Sequence, residues 1–276
     1  MKLGIVVGTH GTPAFVHLHL EVSRRLYPEK ILVVDDSSSD SDKIKNICEE
    51  YDADFLPEAG FKRSFDDGTY KVCINCKQKK LTINDICQQC NRHFLGDISL
   101  TASGLRWAKN NNIELLVKFS RRFIPLYDWR QELLRIALTT NYPAYTSWDE
   151  DSKFGFKTEA AAFTVDDWIK YGAVDIMENC KPALAESFMW ANCLRLFEIK
   201  KINKQKFLFD EFRPVDPYWH LIKNYQLGYG QWFIAGTARS QKLSWRLWHH
   251  TNTPADYLSL ANSLEINCYT EKDFKI

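Results

Sequence analysis

With 276 residues, 45% of them hydrophobic and 14% aromatic, the chain can bury one large core, or one core and a small appendage, which excludes a disordered chain. Lys and Arg total 36 against 35 Asp and Glu, so no global field holds it on a polyanion or an acidic membrane, and any anion site must be local. No apolar run approaches the roughly 18 residues of a membrane span, and residues 3–7 are too short for a signal-peptide core, so a soluble, cytoplasmic protein is expected.

Leu3, Ile5, Val6 and Val7 predict a buried strand that delivers the tight loop Gly8-Thr9-His10-Gly11. Thr12 as cap and Pro13 as first helical residue then open a helix with Phe15, Leu18, Val22 and Leu26 on one face. A second strand, Ile31 to Val34, ends in Asp35 and Asp36, and the Ser-rich stretch after it caps a helix over 43–51. A third strand at 53–56 completes an alternation that requires a parallel sheet of βαβ units.

The alternation stops over residues 61–95, a polar stretch that reads as an insertion, and resumes where Asp97 caps the next helix. A strand at 113–117 follows and ends at Lys118, Phe119, Ser120, Arg121 and Arg122. Helices are expected at 128–138, 183–197 and 254–264, with a strand at 158–165. The whole chain, 1–276, is expected to be a single α/β domain, with a mostly parallel central sheet flanked by helices.

Four of the eight cysteines, Cys73, Cys76, Cys87 and Cys90, form two Cys-x-x-Cys pairs ten residues apart, the spacing of a zinc ribbon rather than of a disulfide scaffold. Four sulfur ligands leave the metal no open position, so its role would be structural. Lys71, Lys77, Lys79, Lys80 and Arg92 beside them raise a rival reading, a non-catalytic zinc-ribbon adaptor for a nucleotide or nucleic acid. Balanced charge elsewhere gives no strong nucleic-acid signal.

Asp35 and Asp36 stand at the carboxyl end of a parallel strand, where ligands of α/β sheets bind. A carboxylate there can accept a hydrogen bond from a base N–H or a ribose hydroxyl, or can merely cap the next helix with the serines. In Thr9, in the run Val33-Val34-Asp35-Asp36-Ser37-Ser38-Ser39-Asp40, and in Gly96-Asp97 before the helix with Gly104, Leu105 and Ala108, the sequence resembles the family 2 type of GT-A glycosyltransferase. The resemblance covers roughly residues 3 to 120 without the insertion. It implies a GT-A fold and a nucleoside-diphosphate sugar donor contacted by Thr9, Asp35, Asp36, Ser37 and Asp97. The acceptor would be a glycan, a lipid or a small molecule.

The fourth strand departs from that family. Where such enzymes carry Asp-x-Asp to hold Mn or Mg on the diphosphate, this chain has Lys118, Phe119, Ser120, Arg121 and Arg122. Lys118, Ser120, Arg121 and Arg122 can hold the diphosphate directly by charge-assisted hydrogen bonds, which favours metal-independent transfer. Asp149, Glu150 and Asp151, or His249 and His250, keep a metal alternative open. Inversion needs a carboxylate to deprotonate the acceptor, with Glu186, at the start of a helix, the first candidate and Glu159 and Asp149 the next. A nucleotidyltransferase shares a similar sheet and Gly-rich first loop, but its lysine-proline element is missing, and a dehydrogenase would need G-x-G-x-x-G.

Overall fold

The computed structural model describes residues 1–9, 11–35, 38–57, 95–125, 130–140, 142–148, 156–178, 185–202, 233–234 and 253–275. Six strands form one sheet. They are β1 (Leu3–Thr9), β2 (Lys30–Asp35), β3 (Asp54–Pro57), β4 (Leu115–Ser120), β6 (Ala144–Trp148) and β7 (Phe156–Thr164), in the order β3-β2-β1-β4-β7-β6. The first four run parallel; β7 is antiparallel to β4 and to β6. A short ribbon pairs β5 (Ile124–Pro125) with β8 (Phe233–Ile234).

Every residue of β1 is buried, as expected of a central parallel strand covered on both faces. Alternation along β4 puts Phe119 and Lys118 on opposite faces. The Phe119 face meets α1 (Pro13–Leu26) through the His19 ring, 5.6 Å away between centroids, and α1 packs on α2 (Ser41–Glu50). The Lys118 face is covered by α3 (Leu95–Asn110). Gly104 permits that approach: a Cβ there would lie 3.1 Å from both Val6 methyls.

The helices α5 (Val165–Lys170), α6 (Ala173–Glu178) and α7 (Ala185–Ile199) gather beside α3, while α4 (Arg130–Thr140) leads into β6. At the far end of the sequence, α8 (Pro254–Ser263) and a 3-10 turn (Glu271–Phe274) dock on the outer side of α1. Phe15, Tyr257 and Phe274 make a second small core there, with ring centroids 4.7 to 5.9 Å apart. No helix among the described residues is long and apolar enough to cross a membrane.

Three local expectations need correction. Thr12 does not cap α1 with its side chain; it sits in the left-handed region at φ 60°, and its hydroxyl donates to the Gly11 carbonyl at 2.6 Å. Asp97 falls inside the first turn of α3, which begins at Leu95. Lys118, Phe119 and Ser120 belong to β4, because an ion pair with Asp97 lets a lysine enter the sheet. The strand β6 and the short helices α5 and α6 have no counterpart in the sequence pattern.

Candidate donor site at the carboxyl edge of the sheet

The register brings the ends of three strands level. Thr9 pairs with Asp35, and Gly8 with Ser120, so the loops after β2, β1 and β4 lie side by side. Two strand spacings separate the outer pair, about 10 Å, so a ligand lying across this edge meets an acidic loop at one end and a basic turn at the other. The helices α1, α2 and α3 each connect antiparallel to these strands, which turns their N-termini toward the same edge.

Asp35 builds this edge from within. It is fully buried; Oδ1 accepts from the Gly11 N–H at 3.1 Å, and Oδ2 accepts from the N–H and the hydroxyl of Ser38, both at 2.9 Å. Thr9 is buried as well, and its hydroxyl donates to the Gly11 carbonyl at 2.6 Å. Asp35 thereby ties the β1–α1 loop to the β2–α2 loop, and Thr9 braces the β1–α1 loop from within. Gly11, at φ 68°, takes a conformation that suits glycine. His10, Asp36 and Ser37 lie outside the described residues.

Lys118 does not reach the edge as an open cation. Its side chain is 1% exposed, and its ammonium donates to Asp97 Oδ1 in the first turn of α3. Beside it, Gly8 makes room for Leu100 of α3: a Cβ there would lie 3.1 Å from Leu100 Cδ1 but at an ordinary 3.9 Å from Lys118 Cε. The second oxygen of Asp97 is buried with no hydrogen-bond partner among the described residues. Ser120, Arg121 and Arg122 are partly exposed at the edge itself.

The turn that carries the two arginines is fixed through its backbone. Arg121 N–H donates to Gly8 O at 3.1 Å, and Phe123 N–H donates to Ser120 O at 2.9 Å. Tyr257 donates its hydroxyl to the Arg122 carbonyl at 2.8 Å. His19 meets the Phe123 carbonyl through Nε2 at 3.1 Å and the Ser23 hydroxyl through Nδ1 at 3.1 Å. A carbonyl can only accept, so Nε2 carries the proton and Nδ1 accepts from Ser23. Complete burial pushes the His19 pKa down to about 4, which keeps the ring neutral, and burial raises the Tyr257 phenol well above its ordinary value. Neither residue stands out in the sequence; the only local signal is a histidine on the apolar face of α1 with a serine four positions on.

Two of the candidate bases stand on elements of the other half of the fold. Ala160 pairs with Phe119, so the next antiparallel step brings the Glu159 backbone level with Ser120. Glu186 stands in the first turn of α7, whose last turns meet the opposite edge, with Phe197 5.7 Å from Tyr142. Trp148 ends β6 at this edge, with Asp149, Glu150 and Asp151 following outside the described residues. Cys73, Cys76, Cys87, Cys90, His249 and His250 also lie outside them. Among the described residues no three acidic, histidine or cysteine side chains converge as metal ligands.

No family model matches the sequence, and no curated protein matches it. The fold is similar to that of S. aureus TarS, at 8% identity and a TM-score of 0.42 over 70% of this chain and 33% of that one. It is also similar to glucosyl-3-phosphoglycerate synthase from Mycobacterium tuberculosis, crystallised with Mn2+, UDP and glucosyl-3-phosphoglycerate (9% identity, TM-score 0.36, 60% and 57% covered). A third likeness is to a cytidylyltransferase from Leptospira borgpetersenii (13%, 0.32, 73% and 95%). The chain spans 33% of the length of TarS and 57% of that of the synthase. Each of these is a likeness of architecture at low identity, and any chemistry lies with the residues at the carboxyl edge.

Proposed function

We propose that this chain transfers a sugar from a nucleoside-diphosphate donor to a hydroxyl-bearing glycan, lipid or small molecule, by single-step inverting displacement without a divalent ion on the diphosphate. One observation carries the reading: level with the acidic loop, and where the resembling family has Asp-x-Asp, the chain presents Arg121 and Arg122 on a turn whose main chain is fixed by two backbone bonds and by the His19 and Tyr257 side chains. The residues described at the end of β4 do not fit a divalent cation, because cationic side chains cannot serve as its ligands.

The nucleoside lies over the acidic loop, where Asp36 and Ser37 offer acceptors to the base and ribose while Asp35 and Thr9 hold the loop's shape. The diphosphate crosses β1 to Arg121, Arg122 and Ser120. Two guanidiniums stabilise the charge that grows on the leaving diphosphate as its bond to the anomeric carbon breaks. A carboxylate, Glu186 or Glu159 with Asp149 as the third candidate, takes the acceptor's proton as the new bond forms. Lys118 acts through Asp97, not on the phosphates. Cys73, Cys76, Cys87 and Cys90 hold one structural zinc; metal analysis of purified protein should give one zinc per chain, lost when Cys73 and Cys76 are both replaced by serine.

A thermal-shift screen with UDP, GDP, CMP and dTDP conjugates, each with EDTA and with manganese, tests the reading. Stabilisation by one nucleotide, unchanged by EDTA and lost in Asp36→Ala, is expected. Stabilisation that appears only with manganese overturns metal independence, and no shift with any conjugate overturns the donor site.

A further inference from the structure

We infer that Tyr257 and His19 are positioning residues for diphosphate binding, and that the segment 253–275 therefore completes the donor site from far along the chain. The inference rests on the diphosphate role of Arg121 and Arg122. Two consecutive carbonyls of the arginine turn are taken by buried groups: Arg122 O by the Tyr257 hydroxyl at 2.8 Å, and Phe123 O by His19 Nε2 at 3.1 Å. Those carbonyls therefore point into the protein and away from the crevice. This matters electrostatically, because a carbonyl oxygen facing the crevice would repel a diphosphate, whereas a carbonyl turned inward and hydrogen-bonded does not.

The two residues reach the turn by different routes. His19 is held by α1, its orientation set by the Ser23 hydroxyl at 3.1 Å. Tyr257 is held by α8, whose start is fixed by a capping box between Thr253 and Asp256, and by the edge contacts and stacking of its ring with Phe15 and Phe274. Neither touches the ligand in this arrangement. Each acts by fixing where the Arg121 and Arg122 main chain sits, so that binding does not have to order the turn.

The test measures inorganic pyrophosphate binding to the full chain by calorimetry in EDTA, for wild type, Tyr257→Phe, His19→Gln, Met177→Ala and the pair Arg121→Ala/Arg122→Ala, with the melting temperature of each. Tyr257→Phe keeps the ring and removes only the donor, and is expected to weaken pyrophosphate about tenfold, the worth of one buried hydrogen bond, with a loss of similar size in His19→Gln. Met177, buried on α6, has no contact with the turn; Met177→Ala is expected to lower the melting temperature and leave the pyrophosphate affinity unchanged. Unchanged affinity in Tyr257→Phe, or equal loss in Met177→Ala, overturns the positioning role while the diphosphate reading stands, provided the double arginine variant loses binding. If that double variant binds like wild type, or wild type does not bind pyrophosphate, the diphosphate reading itself fails and the positioning role with it.

Discussion

The two loops that flank β1 at the carboxyl edge are built by opposite means. After β2, the loop is held by its own acid: Asp35 commits both oxygens to Gly11 and Ser38. After β4, the basic turn is held by backbone groups, by His19 and by Tyr257, which stands 135 positions away from Arg122, and none of these bonds uses a guanidinium. The charge in the first loop is therefore part of the scaffold. In the second, the bonds that fix the turn run to its main chain, so the turn is held apart from whatever the two guanidiniums contact.

The largest expected effect that tests this contrast is Asp35→Asn. An amide replaces an acceptor that faces three donors, and the loss is expected to be about 4 kcal/mol by urea denaturation, from lost charge-assisted bonds and one unpaired buried group. If this substitution instead left stability intact and abolished only nucleotide binding, Asp35 would be a ligand contact and the contrast would be wrong.

Next comes acid sensitivity of the basic turn. Above pH 6.5 His19 is neutral both folded and unfolded; as pH falls from 6.5 toward about 4, the unfolded chain takes up a proton that the folded ring refuses. The stability it supports is thus present above 6.5 and lost on acidification, by roughly 3 kcal/mol across that window. Urea midpoints compared between pH 7 and pH 4.5 should fall further for wild type than for His19→Gln. Parallel decline in the two proteins would show that the turn does not rest on a neutral histidine.

The smallest effect belongs to Ser38→Ala, which removes one of the three donors to Asp35 and keeps its neighbouring N–H. A loss of about 1 kcal/mol is expected, with nucleotide affinity changed little, by denaturation and thermal shift together. A large affinity loss at unchanged stability would move Ser38 from the scaffold to the ligand.

What can be read from sequence follows the range of the interactions. The βαβ alternation, Asp35 at a strand end and Pro13 at the first helical position are local patterns, and each stands where the pattern puts it. Lys118 reads as a strand-end cation because lysine seldom enters a buried strand, and its place in the sheet is explained by an ion pair with Asp97 on another element. His19 and Tyr257 carry no motif; their importance lies in carbonyls of a turn that no spacing rule links to them. The cysteine pairs, Asp36, Ser37 and Asp149 fall outside the described residues, so for them the sequence remains the only guide.

The hold of Tyr257 on Arg122 also orders events in time. A ribosome releases the six sheet strands, the arginines and α1 well before residues 253–275 emerge, so the nascent chain has its sheet and its charges while the Arg122 carbonyl still lacks its donor. If the proposed diphosphate role holds, competence to bind would arrive only with α8, and a chain stalled short of it would have the sheet while its arginine turn still lacked the Tyr257 bond.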